Sequence, residues 1–402
     1  MVEKNLDFNT VIDRRNTKCL KYDFAKSRGM PDHLLPLWIA DMDFKTSSFV
    51  QDALHKQVDH GIFGYSEVQE DYFEIVQRWM KDHYDWNVNS EWLIKTPGIV
   101  FALVMTVKAF TNPGDGVLIQ LPVYYPFYAV IEDNGRKVVG NTLFLEKDNR
   151  YHINFEDFEN KIIEEKIKLF FLCNPHNPVG RVWSSEELVR LGEICVKHHV
   201  IVVSDEIHAD FIFQGKHSVF ANLKKEFEDI TITCTAPSKT FNLAGLQISN
   251  IFIANAKLKS LFRKQVRAAG YNQLNVMGLV ACEVAYKYGE TWYQAMHEYV
   301  GDNIKYTQKF FEENIPSVRM VKHEGTYLVW IDFRTLRLSA DELDELIINR
   351  AKLWLDSGKI FGESGTGFQR INVACPRIVL EEALKRIQEA VEDTLKEQPL
   401  LK

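Results

Sequence analysis

Short apolar stretches alternate with amphipathic stretches through the middle of the chain. Short stretches rich in apolar and β-branched residues predict buried strands at 116–121, 168–173, 200–204, 230–235 and 249–254. The pattern at 184–199 is helical, and Ser184 with Glu187 predicts a capping box at its start. Apolar strands separated by helices favour an α/β fold, with a mostly parallel sheet that helices cover on both faces.

The pattern changes towards the C-terminus. A long amphipathic helix is predicted over 289–314, followed by strands at 325–333 and 368–375. Between these strands a helix over 339–355 opens with a second capping box, Ser339 and Glu342, and a charged amphipathic helix closes the chain.

This change in pattern predicts two domains. We expect a large domain over 49–290 and a smaller α+β domain over 291–402, against which the N-terminal segment 1–48 packs. The length of 402 residues, with 46% hydrophobic and 26% charged residues, suits a globular protein of this size.

Charge and apolar length argue against two classes of partner. The formal net charge of -7 disfavours nucleic acid, which is itself a polyanion. The most apolar segment, 98–110, is too short to cross a bilayer and contains Lys108, so we expect a core helix and no membrane partner. The first residues lack the apolar stretch of a signal peptide, and the six cysteines are scattered. Both features favour the cytoplasm.

Polar side chains follow the predicted strands at the points where those strands end. The strand exits read PVYYPFY, NPHNPVGRVW, DEIHADF and TAPSKTF. Ligands of open α/β sheets bind beyond the carboxyl ends of the strands. Taken singly, each residue is typical of a capping, packing or solvated position, but together they predict one site containing Tyr124, Tyr125, Asn177, Asp205, His208, Ser238 and Lys239.

These residue types suit a particular chemistry. Lys239 in a partly desolvated crevice would have a lowered pKa and would attack carbonyl groups, so an aldehyde cofactor would bind it as a Schiff base. Asp205 could keep a pyridine nitrogen protonated, which makes the ring an electron sink. Asn177 and His208 could hydrogen-bond a ring hydroxyl, and Tyr124 offers a flat face for stacking.

A phosphate group would also find donors in this sequence. The segment TPGIVFAL at 96–103 places a glycine-containing turn at the start of an apolar helix, and helix N-termini bind anions. Ser238, beside the lysine, adds a hydroxyl.

Four motifs carry a resemblance to a known family. NPHNPVGRVW, VVSDEIHADF, TAPSKTFNLAGLQ and FQRINVACPR resemble the fold-type I pyridoxal-phosphate enzymes of the aspartate aminotransferase superfamily. More narrowly, they are similar to the cystathionine β-lyase branch that includes cystalysin and bacterial C-S lyases. The resemblance runs over 35–377. It implies a seven-stranded, mostly parallel sheet, a smaller α+β domain and pyridoxal 5'-phosphate as cofactor.

The resemblance also implies roles around the cofactor ring. Lys239 matches the Schiff-base lysine, Asp205 the partner of the pyridine nitrogen and Asn177 the ligand of the ring hydroxyl. Tyr124 matches the tyrosine that stacks on the ring. His208 falls where many relatives have a tyrosine for the same hydroxyl.

At the phosphate, the resemblance implies contacts from both subunits of a homodimer. Ile99 and Val100 match the residues whose backbone amides bind the phosphate, together with Ser238. Tyr65, in GIFGYSE, matches a tyrosine that reaches the phosphate in the neighbouring subunit. Gln247 departs from the pattern, because aminotransferases usually have a phosphate-binding arginine there.

For an amino acid substrate, the resemblance implies that Arg370 binds the α-carboxylate, with Asn177, Tyr125 and Trp38 as further contacts. Lys239 would remove the Cα proton, and Tyr124 would assist, before a β-thiolate leaves. The implied activity is cleavage of L-cystathionine, related S-substituted cysteines or cysteine to pyruvate, ammonia and a thiol or sulfide. Two alternatives stay open: an aminotransferase, and a lyase with a second, transcription-regulating role as a binding protein.

Other catalytic classes lack their motifs. The glycines of GESGTG at 362–367 match neither the dinucleotide-binding G-x-G-x-x-G nor the G-x-S-x-G of serine hydrolases, and no Walker A motif occurs. A metal site built on DEIH would need further ligands that the sequence does not place, so no metal is expected.

Overall fold

The computed structural model describes residues 2–397; the first residue of the predicted N-terminal segment and the last five of the predicted small domain therefore lie outside the described residues. The α-helices are α1 (Leu20–Asp23), α2 (Ser48–His60), α3 (Glu70–Tyr84), α4 (Ile99–Phe110), α5 (Pro126–Glu132), α6 (Phe155–Glu164), α7 (Ser185–Lys197), α8 (Lys225–Ile230), α9 (Pro237–Thr240), α10 (Ala256–Ala268), α11 (Val276–Tyr288), α12 (Glu290–Asn314), α13 (Ala340–Glu345) and α14 (Arg377–Glu397).

The strands are short, as the apolar runs predict. They are β1 (Leu35–Pro36), β2 (Leu93–Thr96), β3 (Gly116–Leu121), β4 (Lys137–Thr142), β5 (Phe144–Leu145), β6 (Tyr151–His152), β7 (Leu169–Cys173), β8 (Ile201–Asp205), β9 (Thr231–Thr235), β10 (Ser249–Phe252), β11 (Arg319–Met320), β12 (Leu328–Asp332), β13 (Leu353–Trp354), β14 (Asp356–Ser357) and β15 (Phe368–Asn372).

A seven-stranded sheet forms the centre of the molecule, in the order β2-β10-β9-β8-β7-β3-β4. Neighbours from β9 to β4 pair in parallel, whereas β10 runs antiparallel to both β9 and β2. The predicted α/β class and mostly parallel sheet are confirmed.

Helices cover both faces of this sheet, because its central strands are apolar on both sides. Along β7, Leu169 and Phe171 pack into a core that includes α4, while Phe170 and Leu172 pack into the opposite core with α7. Side chains alternate across a strand, so a continuous apolar run buries both faces. This packing on both faces holds the sheet rigid, and with it the residues at the ends of its strands.

A second, antiparallel sheet of β11-β12-β15-β14 is built from the C-terminal part of the chain. The N-terminal segment joins this part through β1, which pairs in parallel with β13. The division at 48/49 and 290/291 stays a prediction.

Both predicted capping boxes are present, at Ser184–Glu187 and Ser339–Glu342. The helix predicted over 339–355 is wrong in its second half. After α13 a single π-helical turn follows, and Lys352 adopts a left-handed conformation with φ 56°. β13 then pairs with β1, so tertiary pairing overrides the helical pattern there.

Among residues 2–397, no helix combines the length and apolar character needed to cross a membrane.

Candidate active site

The strand ends converge as the sequence predicts. Asp205, the last residue of β8, lies opposite Cys173 on β7 and Cys234 on β9. The three strands are parallel, so the segments that follow them leave at one edge of the sheet. A cavity of about 270 Å³ lies at this edge. Its lining includes eight of the predicted residues: Ile99, Val100, Tyr124, Asn177, Asp205, His208, Ser238 and Lys239.

Lys239 reaches the cavity from the short helix α9. Its Nζ donates a hydrogen bond to the Ala40 carbonyl at 2.5 Å, and the Tyr327 hydroxyl donates to the same oxygen at 2.9 Å. Burial lowers the pKa of Lys239 to about 8, and the charge of Arg370 acts in the same direction. The amine can therefore act as a base or nucleophile near neutral pH.

Asp205 is 5% exposed, and the backbone N–H of Ile207 donates to its Oδ1 at 3.2 Å. Burial raises the pKa of this carboxyl to about 7, against the opposing effects of the Ile207 bond and the charge of Lys239. Burial removes Asp205 from water, which would otherwise stabilise its negative charge. A cationic ring nitrogen beside Asp205 would stabilise that charge instead.

His208 is held as a neutral imidazole. Burial lowers its pKa well below the usual value, and the positive charges of Lys239 and Arg370 add to the effect. Its Nδ1 has no hydrogen-bond partner among residues 2–397, although the atom is buried. A buried polar atom without a partner is costly, which favours a ligand atom beside it.

Arg370 lies beside the cavity on β15. Its Nη1 donates to Asn177 Oδ1 at 2.9 Å and its Nη2 to the Trp38 carbonyl at 2.9 Å. Asp356, directly opposite on β14, forms an ion pair with the guanidinium. The Arg370 Nε has no partner among the described residues. Three of the five guanidinium N–H groups are thus committed to described residues, which fixes the group in place and leaves the Nε–H among those open to a ligand.

The N-terminus of α4 forms another wall of the cavity. Gly98 precedes the helix with φ 138°, a conformation that disfavours residues with a side chain. The first amides of a helix lack acceptors within it, so those of Ile99 and Val100 are available to an anion. Gln247 also lines the cavity and is exposed.

Four predicted residues do not line the cavity: Arg370, which lies beside it, and Trp38, Tyr125 and Tyr65. Trp38 stacks its ring on Trp354 at 4.5 Å, so only its carbonyl reaches Arg370. Tyr125 is half-buried, 5.7 Å from the Tyr124 ring. Tyr65 is 92% exposed in the segment between α2 and α3.

Sequence reasoning missed Ala40, Tyr327 and Asp356. A backbone carbonyl such as that of Ala40 carries no signal in residue type. Asp356 becomes recognisable only through the pairing of β14 with β15, which places it opposite Arg370.

Known proteins are similar to this chain in sequence and in fold. The sequence pattern of the family "Aminotransferase class I and II" matches residues 33–387. Cystathionine beta-lyase PatB of Bacillus subtilis (strain 168) is 42% identical over 96% of this chain and 100% of its own length.

Solved structures are also similar. A PLP-bound putative aminotransferase from Clostridium difficile 630 superposes with a TM-score of 0.93 at 42% identity, covering 96% of this chain and 99% of the other. Cystalysin from Treponema denticola, which contains pyridoxal 5'-phosphate, gives a TM-score of 0.92 at 40% identity with the same coverage.

Proposed function

The chain belongs to the aminotransferase class I and II family, and we propose that it is a pyridoxal-phosphate-dependent carbon–sulfur β-lyase. Its proposed substrates are L-cystathionine and related S-substituted cysteines, which it cleaves to pyruvate, ammonia and a thiol. The meeting of Lys239 and Asp205 on one cavity carries this proposal. Whole-length similarity to a cystathionine β-lyase and to cystalysin supports the lyase over other reactions of the family.

The residues of the cavity fit the cofactor. Asp205 suits the pyridine nitrogen, the unpartnered Nδ1 of His208 suits a polar ring substituent, and the start of α4 suits the phosphate. Tyr124 offers its ring as a stacking face. When bound, the cofactor supplies an electron-withdrawing ring that stabilises negative charge at the substrate Cα.

Lys239 is proposed as both the cofactor-binding lysine and the base. With a pKa lowered to about 8 by burial, about a tenth of the free amine is unprotonated at pH 7, far more than for an ordinary lysine. The amine takes the proton from Cα, and the electron pair released there expels the β-sulfur as thiolate. Tyr124, whose pKa burial raises, holds a proton that it can give to the departing sulfur. The amino acid that remains is aminoacrylate, and its hydrolysis by water gives pyruvate and ammonia.

Arg370 is proposed to bind the substrate α-carboxylate. Asp356, Asn177 and the Trp38 carbonyl hold the guanidinium in one orientation. A carboxylate held against a fixed guanidinium fixes the Cα–H bond relative to Lys239. Tyr125, half-buried beside Tyr124, is proposed as a further substrate contact, whereas Trp38 contributes its backbone carbonyl to the support of Arg370.

We propose that the protein works as a homodimer. Tyr65 lies in an exposed segment with Ile62 and Phe63. Tyr65 is 92% exposed, Ile62 is 68% exposed and Phe63 is 59% exposed. A second copy that covers this segment would bury apolar surface and bring Tyr65 to the phosphate of the other site. The cytoplasm is the proposed location, supported by the six free cysteines.

The activity is tested by incubating the purified, cofactor-loaded protein with L-cystathionine, L-cystine and S-methyl-L-cysteine. We expect one pyruvate per substrate cleaved, assayed with lactate dehydrogenase, together with one thiol from cystathionine or S-methylcysteine and one persulfide, thiocysteine, from cystine, assayed with a thiol reagent. Lys239→Ala serves as the inactive control. Amino-group transfer to an added keto acid, with no pyruvate from any of these substrates, would replace the lyase by an aminotransferase.

A further inference from the structure

Asp210 is a buried carboxylate that neutral donors hold. It is 7% exposed, and its Oδ1 accepts hydrogen bonds from the Trp79 indole N–H at 3.2 Å and from the Tyr84 hydroxyl. Its Oδ2 accepts from the hydroxyl of Thr240. Among residues 2–397, Asp210 has no ion pair with a lysine or arginine. A buried carboxylate without a cation depends on such donors, so this cluster is specifically built.

The position of Asp210 connects two walls of the active site. It lies five residues after Asp205, in the turn that follows β8 and contains His208. Thr240, which it holds, directly follows Lys239 in the four-residue helix α9. The Asp210–Thr240 hydrogen bond therefore ties the loop of the proposed ring ligands to the turn that carries the lysine.

Large helices anchor Asp210 from the other side. Trp79 and Tyr84 lie on α3, and the Tyr293 hydroxyl on α12 donates to the Asp210 carbonyl at 2.7 Å. The short helix α9 has little hydrogen bonding of its own, so a side chain fixed to α3 and α12 can determine where it sits.

We propose that Asp210 is a positioning residue that fixes the Lys239 turn relative to Asp205 through its hydrogen bond with Thr240. This inference rests on the proposed role of Lys239 as the cofactor-binding lysine. Asp210 does not line the cavity, and it is not among the proposed substrate-binding residues. It acts by fixing the position of the Lys239 side chain. Displacing a reacting group by about 1 Å is enough to slow a reaction strongly.

The test uses Thr240→Val in the cofactor-loaded protein, which removes the hydroxyl and keeps the branched shape. We expect the visible circular dichroism band of the bound cofactor to fall at least about twofold and kcat about tenfold, with KM within about twofold of wild type. Thr240→Ser keeps the hydroxyl and should restore both values. Thr240→Ala, a better helix former, gives the same readouts if the valine variant folds poorly.

A matched control separates positioning from stability. Thr307→Val removes a fully buried hydroxyl that bonds within α12, far along the chain from the site. It should lower the unfolding temperature and leave the dichroism and kcat unchanged. The proposal is overturned if Thr240→Val has wild-type dichroism and kcat despite a lower unfolding temperature, or if Thr240→Ser is as impaired as the valine. The dichroism requires no turnover, so an absence of lyase activity in wild type would count against the proposed function and leave this test intact.

Discussion

Replacing Asp205 with asparagine should change stability and activity in opposite directions. Burial raises the pKa of this carboxyl from 3.8 to about 7 in the folded protein. A group whose pKa is raised by folding stabilises the folded state in its protonated form. Its contribution is complete below about pH 4 and is lost as the pH rises through about 7. Asparagine has a similar shape and can accept the Ile207 bond, but it carries no charge at any pH.

The magnitude follows from the shift. About three pKa units at 1.36 kcal/mol each correspond to at most about 4 kcal/mol. The cofactor-free Asp205→Asn variant should therefore be more stable than wild type by up to about 4 kcal/mol at about pH 8, and the difference should vanish near pH 4. In the loaded enzyme the same variant should lose roughly a hundredfold or more in kcat/KM, because no carboxylate remains to pair with the ring nitrogen.

Urea unfolding of the cofactor-free variant and wild type across this pH range measures the first effect, and steady-state kinetics measure the second. Asp52→Asn, at an exposed position on α2, controls for the loss of a negative charge. The reasoning is refuted if Asp205→Asn does not stabilise the cofactor-free protein at about pH 8, or if its stabilisation does not change with pH.

The remaining predictions concern binding groups. Arg370→Lys keeps a positive charge near Asp356 but loses the forked geometry of the guanidinium, so kcat/KM should fall about 10- to 100-fold. The visible spectrum of the bound cofactor should stay unchanged. A changed spectrum would mean that Arg370 contacts the cofactor and not the substrate. Gln247→Arg adds a cation to the cavity wall and should tighten cofactor binding about three- to tenfold, measured by equilibrium dialysis; weaker binding would put the phosphate elsewhere. Tyr65→Phe should weaken cofactor retention by a few-fold in the dimer; unchanged retention would remove Tyr65 from the site.

The sequence predicts the centre of the fold well and its edges poorly. The five central strands are predictable because each is a short stretch rich in apolar or β-branched residues that is buried on both faces, as at 169–173 and 231–235. The edge strands β2 and β4 contain lysine and only alternate residues are buried, so neither has an apolar run. The antiparallel direction of β10 depends on the path of the chain, which local pattern does not encode.

The same limit applies to the site. Residues at or just beyond the ends of strands, such as Asp205 and Asn177, are predictable because parallel strands end at one edge of the sheet. Asp356 and Tyr327 support the site through contacts to Arg370, 14 residues away, and to the Ala40 carbonyl, 287 residues away. No spacing in the sequence marks such contacts. Asp210 belongs to the motif DEIHADF, but its hydrogen bond with Thr240 is visible only in the three-dimensional structure.

The central claim is that the side-chain amine of Lys239 forms the covalent bond to the cofactor. Loading the protein with pyridoxal phosphate, reducing it with borohydride and mapping the modified peptide by mass spectrometry tests this directly. The account predicts a single modified lysine in the peptide containing Lys239, absent from Lys239→Ala. Modification of a different lysine, or none in a loaded protein, would contradict it.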